Sequence, residues 1–323
     1  MRKLVVACAA VALCASAFAV DYTWNGGTSG EWADAANWKS PDADPSATYP
    51  DNFDTKACFD GGYVNTRVTV DHEAKAKWIR VADKTAPLVF VGNGSIELGT
   101  TTTSSAGATA GAAVEVAIGS GSDHPVIFDV PVKLKDVTSG NMYFAINEAG
   151  RGYIAFTKTV TAPWITIMGD VRVAGTMTAE HLIFYNMSAG YPAKETRLSV
   201  LPGGTVEARS QTWEQNASVV WIHIHHDGKM VIGSNTAAAG RYWGYNVSRF
   251  PIRVDEDGLF DCSTCPLGGS NEVAFVGKGL VKLMDTGSKA TAEYPVTMDG
   301  VTFAVEDFTA GHPLVLQGSP TWG

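Results

Sequence analysis

The sequence predicts an all-β protein: a right-handed parallel β-helix, or solenoid, with an N-terminal tryptophan-rich cap. Three observations point there. Apolar runs rich in Val, Ile, Thr and aromatic residues recur along the chain, punctuated by Gly, Asp, Asn and Pro, which is the pattern of strands between turns. No long window carries the apolar period of an amphipathic helix. The best helical candidates are one or two turns, at 31–36 and 72–77. Finally, a glycine is followed at once by a short apolar run at Gly94, Gly152, Gly169, Gly204, Gly228, Gly258 and Gly279. Coils of a solenoid recur at about 20–50 residues and bury their apolar faces only against their neighbours, which suits this beat. Antiparallel β-sandwich domains are the alternative.

The elements follow in order. Arg2 and Lys3 precede an uncharged apolar run at 4–13, and Ala17-Phe18-Ala19 fits a small-residue cleavage pattern. The run is too short for a bilayer, which needs about 20 residues. Residues 1–19 are therefore expected to be a signal peptide, cut after Ala19. The mature chain, starting at Val20, has no transmembrane segment and is secreted or displayed at the cell surface. Residues 20–62 place Trp24, Trp32 and Trp38 among glycines. Trp32 and Ala36 are four apart and would share one face of a helical turn, with Asn37 as its end. Such a block would cover the open end of the first coil; an aromatic sugar platform is the other reading. Residues 63–323 are the coils, with strands expected at 67–70, 78–81, 88–91, 114–118, 126–134, 164–168, 219–225, 272–276 and 280–283. The Ala-, Gly-, Thr- and Ser-rich stretch at 99–113 reads as a loop bulging from one coil.

Composition narrows the function. Lys plus Arg number 24 and Asp plus Glu 33, for a net charge of −9 with no basic block. That argues against a nucleic-acid partner, whose phosphates need clustered cations. Cys8 and Cys14 leave with the signal. Cys262-Ser-Thr-Cys265 is expected to form a local disulfide pinning a turn, because neither the helical setting of a redox pair nor a second ligand pair for zinc is visible. Cys58 is left over as a small buried hydrophobe.

The opening block carries a resemblance. Tyr22-Thr23-Trp24-Asn25-Gly26-Gly27 is followed by Gly30-Glu31-Trp32, Ala35-Ala36-Asn37-Trp38, Tyr49-Pro50-Asp51 and Phe59-Asp60-Gly61-Gly62. The block resembles the start of large secreted bacterial proteins built from autotransporter-associated β-strand repeats. The resemblance implies an exported β-helical passenger or surface region, and it implies no catalytic residues. No translocating barrel, sorting helix or anchoring tail is seen before Gly323, so the chain is expected to be either released or a piece of a longer one, truncated at its C-terminus.

The expected function is that of an exported non-enzymatic surface or passenger protein, adhesin- or scaffold-like, with extracellular glycans or matrix as partners. Two alternatives stay open on the same fold: a polysaccharide-active enzyme, lyase or glycoside hydrolase, and a carbohydrate-binding module. No G-x-S-x-G, H-E-x-x-H, phosphate-loop or dinucleotide motif occurs. No catalytic residue, cofactor or metal is assigned. The candidate ligand-binding residues are Trp221, His223 and His225, which alternate with Val220, Ile222 and Ile224 along one strand. Two histidines at i and i+2 can share a metal if a neighbouring coil supplies a third ligand; a solvated stripe is the plainer reading. Asp255-Glu256-Asp257-Gly258 lacks the spacing of a calcium loop and reads as a solvated turn. Arg249, Arg253 and Asp255 fall close together, without a convergent acidic cluster.

Overall fold

The structure is a computed structural model that describes residues 20–26, 29–40, 49–60, 66–81, 86–99, 114–116, 124–135, 143–146, 152–185, 195–210, 214–215, 219–233, 249–264, 272–284, 296–306 and 316–321. The expected signal peptide, Cys265 and most of the 99–113 stretch lie outside them. The described strands pair in parallel, except for Val20–Trp24 against Trp38–Lys39. This is the parallel β-helix, or solenoid, that the glycine beat predicts. Parallel pairing between successive coils rules out the antiparallel sandwich.

Three ladders of stacked strands run along it. The first begins Arg67–Thr69, Leu88–Val91, Val126–Phe128, Ile154–Phe156 and Asp170–Val173. It continues through Glu195–Val200, Val219–Ile224, Arg249–Val254 and Glu272–Gly277. The second runs from Glu73–Ala76 through Thr205–Ser210 and Lys229–Ile232 to Leu280–Met284. The third starts at Val20–Trp24 and passes through Thr55–Phe59 and Trp78–Val81.

A strand sends alternate side chains to opposite faces, so a fixed register makes columns of like residues. On the first ladder Val68, Phe90, Phe128, Phe156, Val173, Val200, Ile224 and Val254 stack in one inward column, all fully buried. Phe90, Phe128 and Phe156 are face to face, with ring centroids 4.6 and 5.2 Å apart. Each such pair contributes about 0.5–1.5 kcal/mol beyond area burial.

The tryptophan block closes the N-terminal end of these coils. Trp24, Trp32 and Trp38 are buried and meet edge to face, Trp38 lying 4.9 Å from Trp24 and 5.0 Å from Trp32. Trp32 reaches Phe90 at 6.4 Å and so joins the phenylalanine stack. The block also pairs with exposed strand edges. Trp32 N donates to Thr69 O, and Thr69 N to Gly30 O, both at 2.8 Å. Buried indole nitrogens need acceptors: Trp32 Nε1 donates to Pro50 O (2.8 Å) and Trp38 Nε1 to Trp32 O (2.7 Å). Burial of all three rings overturns the sugar platform at this block.

Four local expectations are corrected. Residues 31–36 do not form a helical turn that shares Trp32 and Ala36. The turn is a 3-10 one at Ala35–Asn37, capped by Asp34 Oδ1 accepting from Ala36 N, and Ala36 is exposed. Residues 72–77 form the strand Glu73–Ala76, with Ala74 and Ala76 inward. The stretch 126–134 is two strands, Val126–Phe128 and Val132–Leu134, around a corner at Val130. The Trp164 strand starts earlier, as Val160–Met168, and serves two ladders.

Candidate functional site

The site begins with a turn repeated on three coils. Gly204 N donates to Leu201 O, Gly228 N to His225 O and Gly258 N to Asp255 O, at 2.8, 2.9 and 2.9 Å. The third residue of each turn, Gly203, Asp227 or Asp257, has positive φ, which Gly, Asn and Asp adopt most readily. The closing glycine is required for space, because a Cβ on Gly258 would lie 2.9 Å from Asp255 O and 3.0 Å from His225 O. Identical turns in register put the first residues, His225 and Asp255, at the same corner of successive coils.

The strands before the turns supply the rest. Val220, Ile222 and Ile224 are buried while Trp221 is 41% exposed, so the stripe Trp221, His223 and His225 faces outward as expected. In the row that crosses it at His223, Arg172, Ser199, His223 and Arg253 are register partners on successive coils. His223 and His225 stack ring on ring, with centroids 3.7 Å apart.

Asp255 joins them from the next coil. Its Oδ2 lies 2.8 Å from His223 Nε2 and 3.8 Å from His225 Nδ1, while its Oδ1 accepts from Arg253 Nε at 2.8 Å. The expectation of a solvated acidic turn holds for Glu256 and Asp257, which are exposed, and is corrected for Asp255, which is held by two partners. His226, Asp227, Glu256 and Asp257 are the exposed members of these two turns, with His226 Nε2 3.0 Å from Asp227 Oδ2. Partial burial pushes the Asp255 carboxyl up, but hydrogen bonds from Arg253 and His223 outweigh it and hold the group below its usual 3.8. His225 is held below 6.5 by partial burial and by the charge of His223, against the pull of Asp255. At neutral pH the corner therefore offers an ionised carboxylate beside a neutral imidazole.

Asp255 also borders a shallow, open cleft of about 400 Å³, shared with Arg253, Glu256, Lys278 and Asp299. Arg249 belongs to the strand Arg249–Val254, but the cleft is built from Arg253 onward. Cys262 is buried, with its Sγ 3.2 Å from Lys282 O; its expected partner Cys265 lies outside the described residues. Cys58 is a buried thiol, as expected. Among the described residues no helix is long and apolar enough to cross a membrane.

The residue that sequence reading missed is Asp255 as a partner of the histidines. The repeated turn was the available signal, because equal turn positions on adjacent coils stack.

Comparison with protein-family models, with curated proteins and with solved structures gives no match. The resemblance of the tryptophan block therefore enters the functional reading as a proposal.

Proposed function

We propose that this chain is an exported, non-enzymatic surface or passenger protein, adhesin- or scaffold-like, whose solenoid acts as a rod meeting extracellular glycans or matrix. The observation that carries this is the unbroken inward column from Val68 to Val254. Coil after coil is committed to core, and the outward rows are left to contact a partner. The leader-like residues 1–19 and the resemblance of the tryptophan block support export. The test uses the chain from Val20 with a panel of acidic and neutral polysaccharides and immobilised matrix glycans. Retention on a glycan or matrix surface, without release of reducing ends or unsaturated sugars, is expected. Sustained product release would overturn the reading.

One observation favours a second reading, a polysaccharide-active enzyme. The cleft places Arg253, Asp255, Glu256, Lys278 and Asp299 together from adjacent coils, and a lyase or hydrolase needs acids and bases on facing positions. Under this reading, product release occurs and is lost in Lys278→Ala or Asp299→Asn.

A further inference from the structure

We infer that His223, His225 and Asp255 form a binding site for a divalent transition-metal ion of the zinc class. The inference stands on geometry alone, independently of the surface-protein reading. The three donor atoms lie within 4.8 Å of one another, on two coils fixed by parallel register. In a tetrahedral site with metal–ligand distances near 2.0–2.1 Å, donors stand about 3.3 Å apart. The observed 2.8 and 3.8 Å from Asp255 Oδ2 to the two imidazoles bracket that value. An ion between them requires shifts of roughly half an ångström, within reach of side-chain torsions, and it replaces the His223–Asp255 hydrogen bond.

The donor set chooses the ion. Two imidazole nitrogens and one carboxylate suit zinc, copper or nickel, whereas calcium and magnesium prefer all-oxygen shells. Arg253 is the positioning residue. By donating to Oδ1 it fixes the carboxylate rotamer and leaves Oδ2 turned toward the imidazoles, the role outer-shell partners play around metal ligands. All three groups are partly exposed, so an ion can enter from solvent. Three protein ligands leave the fourth position to water. The opposing charges are accounted for: Arg253 is paired with Asp255, and Arg172 lies 3.3 Å from Asp170.

The experiment titrates zinc ion alone into the chain from Val20 by calorimetry and by competition with a chromophoric chelator. One zinc per chain is expected at this site. The double variant His223→Gln with His225→Gln should weaken it by at least about tenfold, and Arg253→Ala by about tenfold, as for loss of an outer-shell partner. His226→Ala, one residue along, should leave it unchanged. Far-UV circular dichroism checks that each variant is folded. An NMR titration of the unaltered protein keeps the test independent of the variants: zinc should shift the imidazole signals of His223 and His225. Unchanged zinc affinity in the folded double variant, or zinc shifts confined to other histidines, would overturn the assignment.

Discussion

His223 and Asp255 lie 32 residues apart in sequence and 2.8 Å apart in space, because one coil of the solenoid brings the strand holding the first beside the turn holding the second. The pair is partly exposed on both sides, and exposed ion pairs contribute about 0–1 kcal/mol. Asp255→Asn is therefore expected to change the free energy of unfolding by less than about 1 kcal/mol while removing the anionic donor of the cluster. Urea denaturation of the variant checks this. A loss of several kcal/mol would make the contact a structural one instead.

The inward and outward faces should differ sharply under substitution. Phe128 sits between Phe90 and Phe156 and is fully buried, so Phe128→Ala should cost about 3–5 kcal/mol. Lys133 is exposed, and its ammonium lies 3.6 Å from Glu97; Lys133→Ala should stay within about 0.5 kcal/mol. Both are read from denaturant midpoints.

The repeated turn gives a paired test. Gly203 has φ of +74° and open space around it, and Asp227 and Asp257 fill the matching position on later coils. Gly203→Asp should be tolerated within about 1 kcal/mol. Gly204→Ala should not, because its Cβ would lie 2.3 Å from Val173 O, a backbone atom, and overpacking of this kind costs about 1–3 kcal/mol. Thermal melts of the two variants check the contrast.

Burial pushes the Cys58 thiol from 9.0 up to about 12, against the charge of Arg80. The native state thus holds this proton more tightly than the unfolded chain does. The resulting stability is complete below pH 9 and is lost as pH rises from about 9 toward 12, by about 1.4 kcal/mol per pH unit in that window. Cys58→Ala removes this dependence, so urea unfolding of the two proteins between pH 9 and 11 should show the wild-type curve steeper by one proton.

What was legible in the sequence was local. The alternation at 219–225 gave the faces of Trp221, His223 and His225, and Gly204, Gly228 and Gly258 gave the coil starts. What escaped was decided between coils. Asp255 meets the histidines through parallel register, which depends on how much chain each coil spends before returning, and no local pattern encodes that. Residues 72–77 read as helix because Ala and Lys are good helix formers; Ala74 and Ala76 lie instead on the inward face of a strand, in register with Ile96 and Leu98 of the next coil. Residues 126–134 read as one strand because the alternation of apolar positions runs through the corner, from Val126 and Phe128 to Val130, Val132 and Leu134, all buried; the break is marked only by Asp129 and Pro131 on either side of Val130.

The central claim is a stacked solenoid whose N-terminal end is closed by the tryptophan block, and hydrogen exchange on Trp32→Ala tests it most directly. Deleting this buried ring should cost about 3–5 kcal/mol. In a solenoid that loss stays with the nearest coils. Amides of Thr55–Phe59, Arg67–Thr69 and Leu88–Val91 should lose protection first, while those of Val219–Ile224 and Glu272–Gly277 keep it. Uniform loss of protection along the whole chain, or none near Trp32, would contradict the account.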